Sequence, residues 1–166
     1  MMDRKQFIKK ICPASAIGLI LTSEFLSACS KPAEEVVPTS DPVYDNLITK
    51  TKDNGFFVEG KIVYINLQNA FYATLKNVGN FVNDETNGIL LLRKSETQII
   101  CLDNCCPHQG TRNRWSYANN KFTCANHGNS YGMETGQIAP CNSNTPFGNL
   151  KAYASAITKD IVTIQL

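Results

Sequence analysis

Neither sign of charge prevails in this 166-residue sequence, which carries 16 basic and 14 acidic side chains. Positions 1–28 hold four of the bases and two of the acids, so the remainder of the chain is neutral. A neutral remainder has no basic stripe to neutralise phosphates, which argues against nucleic-acid binding. With 43% hydrophobic and 18% charged residues, a single domain of ordinary size can bury a core.

The sequence also lacks an apolar run long enough for a retained membrane span. The best candidate is residues 11–26, which follow a basic stretch and are interrupted by Pro13, Ser15 and Glu24. A spanning helix needs about 20 mostly apolar residues. A basic region followed by a short apolar region is typical of an export signal, and a short buried helix is the alternative.

The end of this stretch resembles the lipobox of bacterial lipoproteins, because small residues at positions 27 and 28 precede Cys29. In that family the signal is cut before the cysteine, which becomes lipid-linked. The resemblance implies a signal peptide at 1–28 and an exported protein anchored through Cys29 to a bacterial membrane, on the periplasmic or cell-surface side. Residues 4–9 also resemble the twin-arginine export signal, with lysine replacing the second arginine.

The remaining chain divides into a tether and a domain. Residues 29–42 contain three prolines and no periodicity, which predicts a flexible tether. The domain is predicted at 43–166, without a long helical period or an internal repeat. Short apolar or alternating runs predict an all-β fold, a small antiparallel sandwich or barrel. The predicted strands are 61–66, 89–92, 98–102, 121–124, 151–157 and 160–166, with turns at 94–96, 119–120 and 158–159.

The only two histidines each follow a cysteine closely. Residues 105–110 read Cys-Cys-Pro-His-Gln-Gly and residues 124–128 read Cys-Ala-Asn-His-Gly, with fifteen residues, 109–123, between the two cysteine–histidine pairs. One such pair would be weak evidence for a metal site. Two matched halves, each supplying a thiolate and an imidazole and each followed by glycine, predict a metal centre.

The ligand chemistry favours iron and sulfide over zinc. A 2Fe–2S cluster needs two ligands per iron, and in one type two imidazoles replace two thiolates on one iron. Neutral imidazoles lower the negative charge of the site, which raises the potential from about −400 mV to roughly −150 to +300 mV. A tetrahedral zinc site is the alternative, and the order Cys-His-Cys-His fits it poorly.

The two boxes resemble the two signatures of the Rieske family, and the resemblance covers roughly residues 56–166. It implies an all-β, Rieske-type antiparallel sandwich or barrel with a small cluster-binding subdomain of two loops. It implies one 2Fe–2S cluster per chain, with the cysteines on the buried iron and the histidines on the outer one. The implied ligands are Cys106, His108, Cys124 and His127.

Four further residues are expected to support the cluster. Gly110 and Gly128 would let the backbone fold tightly around sulfur. By resemblance, Tyr131 would hydrogen-bond sulfur and Pro140 would lie in the proline loop. Cys105 gives the spacing Cys-x-x-His rather than the family's Cys-x-His, so Cys106 is the predicted ligand.

The sequence departs from respiratory Rieske proteins at three positions. The two cysteines of their bracing disulfide are replaced by Thr111 and Asn126, so this chain resembles the disulfide-free, ferredoxin-like branch. The serine that raises the potential in the respiratory branch is replaced by Asn129, while its tyrosine is retained. One donor out of two predicts an intermediate potential.

Three thiols remain in the predicted domain. A Cys105–Cys141 disulfide is a hypothetical substitute brace, and two unpaired thiols near the site are the alternative. Cys101, in a predicted strand, is expected to be a small buried hydrophobe.

These inferences predict a one-electron carrier or electron-transfer subunit outside the cytoplasmic membrane, with redox donor and acceptor proteins as unknown partners. Catalysis by this chain alone is not expected, because both histidines are used and none remains for a mononuclear iron site. The alternatives are the small Rieske subunit of a larger oxidoreductase and a redox-sensing lipoprotein.

Overall fold

The computed structural model describes residues 41–166. The predicted signal peptide, Cys29 and most of the predicted tether lie outside these residues. The described part contains one α-helix, α1 (Pro42–Lys50), a 3-10 helix (Ala73–Lys76) and ten strands. In chain order the strands are β1 (Phe56–Glu59), β2 (Ile62–Asn66), β3 (Phe81–Asp84), β4 (Ile89–Ser95), β5 (Gln98–Asp103), β6 (Trp115–Ala118), β7 (Lys121–Cys124), β8 (Asn129–Tyr131), β9 (Ala152–Thr158) and β10 (Ile161–Gln165).

Helix α1 begins where the sequence analysis placed the end of the tether. The Asp41 carboxylate accepts the backbone N–H groups of Val43 and Tyr44 at 3.1 and 3.3 Å, and Pro42 occupies the first turn. Both features favour a helix start, because the first N–H groups of a helix have no partner inside it. Within the described residues, none of the helices is both long and apolar enough to cross a bilayer.

The ten strands form two antiparallel sheets. The larger sheet has seven strands in the order β1-β2-β10-β9-β5-β4-β3, and the smaller has three in the order β6-β7-β8. The turn between β6 and β7 consists of Asn119 and Asn120, with φ of 51° and 58°, and Lys159 between β9 and β10 has φ of 54°. Positive φ suits tight hairpins whose twist matches that of the flanking strands.

Strand β4 contributes to both buried clusters of apolar side chains, which explains its unbroken apolar run. Ile89 and Leu91 face the cluster inside the larger sheet, together with residues of β2 and β10. Leu90 and Leu92 face the second cluster, between this sheet and the smaller one, which also contains Phe122. Side chains alternate along a strand, so the segment 89–92, which is buried on both faces, is apolar at every position.

The all-β prediction is confirmed. The six predicted strands correspond to β2, β4, β5, β7, β9 and β10. The four strands without a specific prediction, β1, β3, β6 and β8, are three or four residues long, and β3 and β8 carry polar residues. The sequence of such short segments has too few alternations to mark them, so their pairing with longer neighbours decides their conformation.

Candidate functional site

The first loop of the site, residues 105–110, follows β5 and is closed on itself by its own backbone. Gly110 donates its N–H to the carbonyl of Cys106 at 2.7 Å, and Cys106 donates its own N–H to the carbonyl of Thr111 at 2.8 Å. Gly110 has φ of 69°, a left-handed conformation that other residues adopt at a cost. The loop therefore turns back around the Cys106 side chain.

The second loop, residues 124–128, repeats this arrangement after β7. Gly128 has φ of 75° and donates its N–H to the carbonyl of Cys124 at 2.9 Å. Burial raises the pKa of the Cys124 thiol, and hydrogen bonds from the backbone N–H groups of Asn126 and His127 offset part of that rise. Donors aimed at sulfur stabilise a thiolate, so the loop is prepared for a metal-bound cysteine.

The two loops bring the thiols of Cys106 and Cys124 together in the interior. Each residue is only 1% exposed, and both belong to the apolar cluster between the two sheets. Burial raises the pKa of Cys124 most, and the neighbouring thiol adds to this effect. Two adjacent buried thiols favour the protonated form unless a cation compensates the charge, so the pair suits a metal centre.

The histidines lie at the outer side of the same site. His127 is exposed and His108 is half-buried. Their Nδ1 atoms are 3.2 Å apart, and their rings are nearly perpendicular, at 89°. Two nitrogens bound to one tetrahedral metal at about 2.0–2.1 Å would be separated by about 3.3 Å. The four side chains thus fit a cluster with buried thiolates on one metal and imidazoles on the other.

Tyr131, at the end of β8, is fully buried beside the thiols. Its hydroxyl oxygen is 3.9 Å from the Cys106 sulfur and donates a hydrogen bond to the carbonyl of Thr145 at 2.8 Å. Burial raises the pKa of Tyr131, and the hydrogen bond with Cys106 raises it further. The tyrosine is therefore a neutral donor at neutral pH, and its proton is directed at a backbone carbonyl.

A disulfide joins Cys105 to Cys141, with Cα atoms 5.3 Å apart across a sequence separation of 36. It connects the first loop to the segment after Pro140, as the sequence hypothesis proposed. The brace of the respiratory branch is absent from this chain, and a different one takes its place. Cys101 is completely buried, and burial raises the pKa of its thiol, as expected of an inert hydrophobe.

Sequence reasoning missed Asn104, which holds the first loop against its surroundings. The residue is completely buried. Its side-chain amide donates to the Asn83 side chain at 3.0 Å and its oxygen accepts from Arg112 at 2.6 Å. Its carbonyl accepts the indole N–H of Trp115 at 2.8 Å. A lone asparagine before a cysteine carries no sequence signal of this role, because all three partners are distant in the chain.

Replacing Asn104 by alanine is expected to lower the free energy of unfolding by about 1–3 kcal/mol, because it removes a fully buried side-chain amide that hydrogen-bonds Asn83 and Arg112. Urea unfolding of the purified protein measures this loss. The matched control is Asn113→Ala, an exposed position in the same connection between β5 and β6, for which we expect a change within about 0.5 kcal/mol. Equal stability of the two variants would show that the Asn104 hydrogen bonds do not hold the loop.

Comparison with known proteins identifies one family. The model of the Rieske [2Fe-2S] domain matches residues 68–154, just over half of the chain and inside the range of the sequence resemblance. Among solved structures, the chain is similar to the cyanobacterial plasma membrane Rieske protein PetC3 from Synechocystis PCC 6803. The identity is 20%, the coverage is 52% of this chain and 84% of that chain, and the TM-score is 0.37. No curated protein matches the chain.

Proposed function

The chain belongs to the Rieske [2Fe-2S] domain family, and from that premise we propose that it is a lipid-anchored one-electron carrier or electron-transfer subunit outside the cytoplasmic membrane. Membership of the family gives the cofactor as a Rieske-type 2Fe–2S cluster and the chemistry as electron transfer. When bound, such a cluster accepts and returns one electron at a potential set by its ligands and their hydrogen bonds. The chain itself supplies the four ligands, of which the cysteines are buried and His127 is exposed.

We assign the buried iron to Cys106 and Cys124 and the outer iron to His108 and His127. The observation that carries this assignment is the division of the site into two buried thiols and two imidazoles whose Nδ1 atoms are 3.2 Å apart. The convergence of the two Nδ1 atoms supports Nδ1 as the atom through which each imidazole would bind the metal. The remaining nitrogens then point away from the cluster, toward solvent or a partner.

The asymmetric burial supports electron transfer as the function. His127 is exposed, whereas the thiols are 1% exposed. A cluster held by these residues would be shielded from water by the buried cysteines and would lie nearest the surface at the histidines. A redox partner that contacts the histidines would therefore be separated from the cluster by a single side chain.

The decisive experiment is electron paramagnetic resonance of the full-length protein, purified in detergent and reduced with dithionite. We expect the signal of a histidine-ligated 2Fe–2S cluster, with two irons and two acid-labile sulfides per chain. Mixing the reduced protein with a one-electron acceptor should reoxidise it with a stoichiometry of one electron per chain. Zinc without iron, or an all-cysteine signal, would contradict the proposal.

The sequence around Cys29 supports the lipid anchor, and substitution of Cys29 tests it. Replacing Cys29 by alanine should move the protein from the membrane fraction to the soluble fraction and abolish labelling by radioactive palmitate. Cys12→Ala is the matched control, because Cys12 lies in the same predicted signal peptide but outside the lipobox. If both variants stay in the membrane, anchoring through Cys29 is wrong.

The identity of the partner distinguishes a free carrier from a subunit. Mild detergent extraction followed by size-exclusion chromatography separates the two, because a subunit elutes with a larger oxidoreductase and a carrier elutes alone. Rapid electron exchange with a small soluble carrier supports the carrier and counts against a purely sensing role.

A further inference from the structure

The segment after Pro140 covers the first loop of the site. We call residues 141–145 the cover segment. Its N–H groups donate to three successive carbonyls of the first loop. They satisfy the carbonyls of Pro107 and His108 and add a second donor to that of Cys106, which already accepts from Gly110. The pairs are Asn142 to Cys106 at 3.3 Å, Ser143 to Pro107 at 2.7 Å and Asn144 to His108 at 3.1 Å.

The Cys105–Cys141 disulfide fixes the beginning of the cover segment. Cys105 is 3% exposed and belongs to the first loop, while Cys141 is exposed. Within the segment, Asn142 and Asn144 have φ of 54° and 57°. Asparagine adopts these left-handed conformations more readily than most residues, and the covalent bridge restrains the chain immediately before Asn142.

Thr145, the last residue of the cover segment, accepts a hydrogen bond from the Tyr131 hydroxyl. The phenol carries one proton, and two acceptors are within reach of it. The Thr145 carbonyl lies at 2.8 Å, a normal length, whereas the Cys106 sulfur lies at 3.9 Å, a weak contact. The Tyr131 hydroxyl therefore donates its hydrogen bond to the Thr145 carbonyl, and its interaction with the Cys106 sulfur is weak.

Building on the proposed role of Cys106 as a ligand, we propose that the Cys105–Cys141 disulfide sets the reduction potential of the cluster through the choice of acceptor for Tyr131. With the bridge closed, the Tyr131 hydroxyl donates to the Thr145 carbonyl and the reduction potential of the cluster is low. With the bridge open, the cover segment moves away and the hydroxyl donates to the Cys106 sulfur. A hydrogen bond to a ligand sulfur stabilises the more negative, reduced cluster, so the potential rises.

The bridge is placed where a thiol can reach it. Both of its cysteines line a surface cleft together with Ile138, Pro140 and Lys151. The reductant would be a dithiol protein. One thiolate attacks the exposed Cys141 sulfur, the S–S bond breaks and Cys105 leaves as a thiolate that takes up a proton. The second thiol of the reductant then breaks the mixed disulfide, which releases Cys141 as a thiol and leaves the reductant oxidised by two electrons.

The test is a double-mutant cycle on the full-length protein, with the potential measured by redox titration of the cluster signal. We expect Cys141→Ser alone to favour reduction at least tenfold, which is 59 mV for one electron. Tyr131→Phe should change the equilibrium less than threefold when the bridge is closed. In the Cys141→Ser background, the same change should disfavour reduction at least tenfold.

The matched control is Tyr117→Phe, which removes a hydroxyl from the smaller sheet where it donates to Asn120 at 3.2 Å, at the turn between β6 and β7. We expect no shift of the potential from it in either background. Equal shifts from Tyr131→Phe with and without the bridge would overturn the proposal, as would an unchanged potential in Cys141→Ser. Loss of the cluster signal from the unmodified protein would instead overturn the ligand assignment.

A second measurement serves if Cys141→Ser does not fold. A phosphine reduces the bridge in the assembled protein, and mass spectrometry after alkylation confirms that it is open. Hydrogen exchange at Ser143 and Asn144 should then accelerate at least tenfold, together with the rise in potential. Unchanged exchange would show that the cover segment stays in place without the bridge, and the proposal would be wrong.

Discussion

A Cys106→Ser variant will contain no 2Fe–2S cluster, whereas a Cys105→Ser variant will contain one. The Cys106 thiol is buried beside Cys124, so its loss removes one of two thiolates from the inner side of the site. The Cys105 sulfur is bound to Cys141 and is not available as a ligand. Iron and acid-labile sulfide per chain, together with the signal of the dithionite-reduced protein, measure the difference.

The control for this pair is Cys141→Ser, which opens the same disulfide without changing the residue beside the ligand. Cys105→Ser and Cys141→Ser should lose similar stability, about 2–5 kcal/mol for a native disulfide, and both should retain the cluster when folded. A folded Cys106→Ser protein with a full complement of iron, or a folded Cys105→Ser protein without any, would show that the ligand is Cys105.

Truncating either of two neighbouring leucines of β4 will destabilise the domain, but only one of them will release the cluster. Leu90→Ala and Leu91→Ala should each lower the free energy of unfolding by about 2–5 kcal/mol, because both side chains are completely buried. Leu90 belongs to the apolar cluster that contains Cys106 and Cys124, whereas Leu91 belongs to the cluster inside the larger sheet. Only Leu90→Ala removes packing from behind the ligands.

The two variants are separated by the rate at which the cluster bleaches in urea below the unfolding midpoint. The urea concentration is adjusted so that both variants have the same free energy of unfolding. Under these conditions we expect Leu90→Ala to lose visible absorbance several times faster than Leu91→Ala. The matched stability is the control, since it removes the contribution of complete unfolding. Equal bleaching rates would mean that the cluster is lost only by global unfolding, so that the second apolar cluster does not act separately.

Local sequence was sufficient for the longer strands and for the two loops. Strand β7 was predicted at 121–124, where the structure has it, because its residues alternate between polar and apolar and follow an asparagine pair that favours positive φ. The glycines after each histidine likewise have the left-handed φ that such tight loops require.

Helix α1 begins with a signal that is visible in the sequence. Asp41 is its capping residue and Pro42 lies in its first turn, although the prolines of residues 29–42 also favour a tether. The short strands β1, β3, β6 and β8 carried no comparable signal. Their conformation depends on hydrogen bonds to neighbouring strands that lie elsewhere in the sequence.

The spacing of the cysteines and histidines, with the glycines that follow them, is a local feature, so it is enough to predict that two thiols and two imidazoles form one site. Contacts between distant segments establish that Cys105 pairs with Cys141, that Asn104 holds the first loop, and that the Thr145 carbonyl accepts a hydrogen bond from Tyr131. These contacts join residues that are 8 to 36 positions apart. Spacing within a loop determines which ligand atoms it can offer. The packing of one loop against another determines which residues hydrogen-bond or crosslink to those ligands.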